Sequence, residues 1–148
     1  MKKSLLVLLS ILFVFAAGCS VVEDVTNTIE YADEAAQYAQ VITDFYNTAP
    51  SLVEQATTDP ASRQELETKL KNVKQEIQDF NQLTPPENVQ EYHDVIVGHN
   101  KQLETVIDTY LDNVKDGKID PKLLENADLL QSIEDISKAV NDIQNIGK

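Results

Sequence analysis

The chain has 148 residues, 42% of them hydrophobic, and carries a formal charge of −13 from 25 acidic against 12 basic residues. That length supports one modest hydrophobic core, and the acidic balance excludes a nucleic-acid binder, which needs a basic footprint on phosphate. Arg63 is the only arginine, so bidentate clamps for phosphate or carboxylate are almost absent as well.

At the N-terminus, Met1-Lys2-Lys3 is a positive start, Leu5 to Phe15 an apolar core and Ala16-Ala17-Gly18 a run of small residues, the layout of an export signal. The apolar run is too short to cross a hydrocarbon layer of about 30 Å, which takes about 20 residues. The small residues end at Cys19, the only cysteine in the chain. This segment resembles the lipobox, the cleavage motif of bacterial lipoproteins, with Ala17 and Gly18 in place and Ala16 where leucine is usual. The resemblance implies cleavage between Gly18 and Cys19 and a covalent diacylglycerol on the Cys19 thiol. The competing reading is an ordinary secretory signal followed by an incidental thiol, although an unused thiol outside the cell invites oxidation. Two acyl chains hold firmly where one holds marginally, since each buried CH₂ contributes about 0.8 kcal/mol.

Loss of residues 1–18 removes Lys2 and Lys3 and no acid, which takes the charge from −13 to −15. Such a domain is repelled by an anionic membrane surface within a Debye length of about 8 Å and favours cations or basic partners. The expected organisation is residues 1–18 as signal peptide, 19–22 as lipidated tether and 23–146 as a helical domain.

From there on the apolar residues follow helical spacing. The first helix is predicted from about Glu23 toward Asn47, with one stripe at Tyr31, Ala35, Tyr38, Ile42 and Phe45 and a second at Val25, Ile29, Ala32, Ala36 and Ala39. Two adjoining stripes can meet two neighbours. The pattern continues in phase through Ala49, Leu52, Val53 and Ala56, so Pro50 is expected to kink or restart this helix rather than end the domain. Asp59-Pro60 reads as an N-cap with proline at the first helical position. It opens a second helix whose core row is Leu66, Leu70, Val73, Ile77 and Phe80, with Glu65–Lys69 and Glu67–Lys71 on the wet face.

Thr84-Pro85-Pro86-Glu87 reads as a capping box starting the third helix. Val89, Ile96, Leu103 and Tyr110 step by sevens there, interleaved with Tyr92, His99 and Val106, and Gly117 suits a helix end. Asp120-Pro121 repeats the cap-and-proline signal before a last helix carrying Leu129, Ile133, Ile136, Val140 and Ile143, with a bend expected near Asn126-Ala127-Asp128. The expected fold is all-α, an antiparallel up-down four-helix bundle with the first helix kinked at Pro50; a three-helix or five-segment arrangement is the rival.

Candidate chemistry is sparse. Residues 112–120 resemble the start of an EF-hand calcium loop, with Asp112, Asp116 and Asp120 at the first, fifth and ninth places. The resemblance fails at Val114 in the third place and Leu123 in the twelfth, where a bidentate glutamate belongs, so no metal is expected. His93 and His99 stand about 240° apart on one helix and cannot share a metal from it. His99 falls on a core position and His93 at the border of the face. Glu-x-x-His pairs, zinc-ligand spacings, a phosphate loop and a Gly-x-Ser-x-Gly turn are all missing. Tyr31, Tyr38, Phe45 and Tyr46 read mostly as core residues, with a contact surface for a partner as the alternative.

Taken together, Ala16-Ala17-Gly18-Cys19, the acidic helical domain and Leu83-Thr84-Pro85-Pro86-Glu87 followed by His93 resemble the small uncharacterised helical lipoproteins of low-GC Gram-positive bacteria. The resemblance supplies no catalytic residues. The expectation is a non-enzymatic interaction or accessory module, lipid-anchored on the outer face of the cell membrane. It would have an envelope protein as partner and no cofactor beyond its covalent lipid. A cation- or ligand-binding lipoprotein is the alternative, and an enzyme of unknown type the third reading.

Overall fold

Residue 19 already lies in a helix, and that helix is not interrupted until residue 56. The computed structural model describes residues 19–115, 119, 122, 127–146 and 148. Among them all regular structure is helical: α1 (Cys19–Ala56), α2 (Pro60–Asn81), a 3₁₀ turn (Glu87–Val89), α3 (Gln90–Lys115) and α4 (Ala127–Ile146). The signal segment, Asp116, Gly117 and the Asp120-Pro121 pair lie outside the described residues.

Residues 19–22, expected as a tether, belong to α1, and α1 passes through Pro50 without ending or restarting there. A proline in a helix interior supplies no N–H to the carbonyl four residues earlier. Just before it, the Thr48 hydroxyl donates to the carbonyls of Asp44 at 2.9 Å and Phe45 at 3.2 Å. The apolar phase is kept across the proline, with Ile42, Ala49, Val53 and Ala56 all buried. That continuous stripe is what holds the two halves of α1 in one helix. The second stripe is only partly inside: Ala32 is buried, Ala36 and Ala39 are half-buried, and Ile29 is exposed.

α2 begins as its sequence dictates. The Asp59 carboxylate accepts from the Ser62 backbone N–H at 2.8 Å and from its hydroxyl at 2.6 Å, with Pro60 in the first turn. All five residues of its core row are buried.

The α2–α3 connection departs from expectation. The cap of the 3₁₀ turn is Pro86, with no side-chain cap hydrogen bond, and the Val89 N–H donates to the Pro86 carbonyl at 3.1 Å. A residue before proline is held out of the helical region. Thr84 and Pro85 each precede a proline, so the chain enters helical turns only at Glu87, too late for a Thr84 capping box.

The row Val89, Ile96, Leu103 and Tyr110, which starts in the 3₁₀ turn and continues along α3, is buried as expected. The second buried row is His93, Asn100, Ile107 and Val114, four residues along, while Tyr92, His99 and Val106, three along, are half-buried. α4 buries all five of its predicted core residues.

α1 packs on α2 and α4, α3 packs on the same two, and the 3₁₀ turn rests on α3 and α4. One core runs through all four helices. No helix among the described residues is long and apolar enough to cross a membrane.

Candidate functional site

Tyr31 and Tyr38 sit two turns apart on the core face of α1, and His93 and Asn100 two turns apart on that of α3. Seven residues is close to two helical turns, so each pair projects from one face. Phe80, near the end of α2, lies between them. Its ring stacks on Tyr38 with centroids 4.4 Å apart and on His93 with centroids 5.4 Å apart. The Tyr31 hydroxyl meets His93 Nδ1 at 2.7 Å. The Tyr38 hydroxyl donates to Asn100 Oδ1, and Asn100 Nδ2 donates to Asn81 Oδ1 at 2.7 Å. Thr28 continues the line outward, donating to Asn88 Oδ1 at 3.2 Å.

Burial sets the protonation of this cluster. It pushes the Tyr31 hydroxyl well above its ordinary range, helped by the negative charges of Glu34 and Asp94. It does the same to Tyr38, against the opposing bond to Asn100. Both tyrosines therefore keep their protons. Burial pushes the His93 imidazole down from its ordinary value, with the Asp94 carboxylate opposing. His93 Nδ1 is the one hydrogen-bond partner of the Tyr31 hydroxyl among the described residues, so the phenolic hydrogen is assigned to this bond, with Nδ1 accepting and the ring proton on Nε2.

Above this cluster an open groove of about 800 Å³ runs between the Asn27–Glu34 stretch of α1 and the Thr84–Asn88 connection. Tyr31 forms part of its wall, Pro85 and Pro86 stiffen the opposite side, and Glu30, Glu34 and Glu87 make it acidic. Such a groove suits a positively charged or hydrogen-bonding guest and repels anions.

The four aromatic residues considered as a single contact surface do not form one. Tyr31 and Tyr38 are each only 4% exposed and belong to the buried cluster. Phe45 and Tyr46 are half-buried and line a small apolar cavity of about 20 Å³ with Ile42, Ala49, Leu103 and Ile107. The two histidines exchange their expected places: His93 is 6% exposed, whereas His99 is half-buried with Nε2 3.7 Å from Asp135 Oδ2. Among the described residues no three His, Cys, Asp or Glu side chains gather as metal ligands. Of the EF-hand-like acids, Asp112 lies exposed on α3, and Asp116 and Asp120 are outside the described residues.

Sequence reasoning missed Phe80, Asn81 and Asn100 as members of one cluster, and the groove above it. The available signal was the polar pair His93 and Asn100 in heptad phase with Ile107 and Val114, which places two polar groups in a buried row.

A model for a family of unknown function, DUF6376, matches residues 31–146. Over 148 residues, covering 100% of both chains, the sequence is 33% identical to a Bacillus subtilis (strain 168) protein described as "Uncharacterized lipoprotein YybP". No solved structure matches the chain.

Proposed function

This chain belongs to the DUF6376 family, and from that premise we propose that it is a lipoprotein of the cell envelope. In this reading a diacylglycerol on Cys19 anchors it to the outer face of the membrane, residues 1–18 are removed, and the domain acts without catalysis as an interaction module. The support for the anchor is Ala17-Gly18-Cys19 at the end of an export signal, together with a full-length relative whose description is that of a lipoprotein.

The observation that carries the interaction role is the groove between α1 and the α2–α3 connection. α1 runs on from Cys19, so the groove begins eight residues along the same helix, about 12 Å at 1.5 Å per residue. A partner in or near the membrane is thus within reach. In this reading the four helices form an up-down antiparallel bundle. Pairings between α2 and α3 run in opposite directions, Lys74 to Asp108 and Gln78 to Glu104, as do those between α3 and α4, His99 to Asp135 and Gln102 to Ser132. Those between α1 and α3 run in the same direction.

The test is photo-crosslinking from intact cells with the probe at Glu30 or Glu87, and at Leu130, an exposed α4 position not lining the groove, as control. A discrete crosslinked product from the groove positions and not from Leu130 is the expected result; the same pattern from all three overturns it. The acidic lining favours a second reading, binding of a cation or small amine, for which a thermal shift with a metal and amine panel is the measurement.

A further inference from the structure

The groove and the buried imidazole are joined through one side chain. Tyr31 belongs to the groove wall, and its hydroxyl is held by His93 at 2.7 Å. His93 in turn stands four residues after Val89, the buried residue that ends the 3₁₀ turn and directly follows Asn88 of the other wall. One ring therefore touches α1 through Tyr31 and α2 through Phe80 while sitting on α3.

The surroundings of that ring hold a neutral imidazole well and a charged one badly. From α1 it faces Tyr31, with Glu34 acting on the phenol; from α2, the uncharged Phe80; on α3 itself, Asp94 is the carboxylate whose field reaches the ring. The 3₁₀ turn brings the uncharged Val89, and the buried residues of the C-terminal part of α4 are Ala139, Val140 and Ile143. His93 enters none of the ion pairs among the described residues. A proton from solvent that lands on Nδ1 occupies the lone pair that Tyr31 donates into. The contact can then persist only in reverse, with Nδ1–H donating to the phenolic oxygen; the phenolic hydrogen loses its one acceptor among the described residues, and a cation is left in a largely apolar site without a paired carboxylate.

We propose that the Tyr31–His93 contact is an acid-sensitive latch on the groove: proton uptake by His93 weakens the tie between Tyr31 and α3 and loosens both groove walls. This rests on the reading of the groove as the contact site, and it makes engagement there responsive to acidity outside the cell.

The test is amide hydrogen exchange on the full-length protein in mild detergent, corrected for intrinsic rates, from about pH 7.5 to about pH 5. A single linked proton allows the opening equilibrium to rise by up to about tenfold per pH unit. The expected result is such a rise below about pH 6.5 in residues 28–34 and 84–93 and none in residues 60–75. His93→Gln should abolish the rise while His99→Gln keeps it. Should His93→Gln not fold, Tyr31→Phe serves instead: exchange in the same two segments is expected to be faster at neutral pH and less dependent on acid. A flat wild-type profile, or an undiminished acid response in His93→Gln or Tyr31→Phe, overturns the latch. The measurement needs no partner. Acid loosening with no groove-specific crosslink overturns the contact-site reading alone; a groove-specific crosslink with flat exchange overturns the latch alone.

Discussion

The Tyr31 hydroxyl and His93 Nδ1 lie 2.7 Å apart although 62 residues separate them in sequence. They connect α1 with α3, two helices that pack principally on α2 and α4 rather than on each other. Tyr31→Phe keeps the ring and deletes the donor, leaving the buried Nδ1 without its partner. The expected cost is about 1–3 kcal/mol, read as a lower urea midpoint with an unchanged slope.

The pH dependence of stability follows from the same ring. Burial lowers the folded-state affinity of His93 for a proton, so the unfolded chain binds it at a higher pH. The contribution is complete above the unfolded value of about 6.5. It is lost as pH falls from there toward the folded value, at up to about 1.4 kcal/mol per pH unit. Urea melts at stepped pH should show this loss, and His93→Gln should remove it.

Phe80→Ala takes away a ring stacked on both Tyr38 and His93 and leaves a void where three helices meet. A loss of about 3–5 kcal/mol is expected. Phe80→Leu, which fills most of the space without the stacking, should fall well short of that in the same denaturation experiment.

At the start of α2, the Ser62 N–H and hydroxyl hold the Asp59 carboxyl below the usual carboxylate range. Asp59→Ala should lower the thermal midpoint by an amount far smaller than Phe80→Ala does, and Asp59→Asn should restore most of it, since an amide oxygen also caps. The wild-type cap contribution is present above the ordinary aspartate value and fades as pH falls through the lowered one.

Pro50 stands exposed inside α1, where it removes one backbone hydrogen bond. Pro50→Ala is expected to stabilise by up to about 3 kcal/mol, measured by chemical denaturation.

Local chemistry was legible where one residue decides the outcome. Asp59-Pro60 foretold the start of α2, and the row from Leu66 to Phe80 foretold its buried face, because a cap and a stripe are written in adjacent residues. The third helix was harder. Rows three and four residues from Val89, Ile96 and Leu103 flank the same axis, and the row with Tyr92 and Val106 looked more apolar than the one with His93 and Asn100. The polar row is nonetheless buried, since Tyr31, Tyr38 and Asn81 on other helices supply its partners, and sequence order does not display partners from distant segments. The capping box at Thr84 failed for a local reason that was readable, the two prolines that follow it. The groove joins residues 27–34 with residues 84–88, which become neighbours only after folding. The lipobox-like run that ends at Cys19 is read from adjacent residues and depends on none of this packing.

The chain of bonds from Tyr38 through Asn100 to Asn81 bears on how the helices find their alignment. Aliphatic rows can slide past one another by a turn and still bury nearly the same area. A slip of α3 by one turn would instead strand the Tyr38 phenol and the Asn100 amide in a dry interior, at about 1–3 kcal/mol for each group left unmatched. Misaligned packings, and exchange of a helix between two molecules in a shifted frame, are thereby placed higher in energy than the native arrangement.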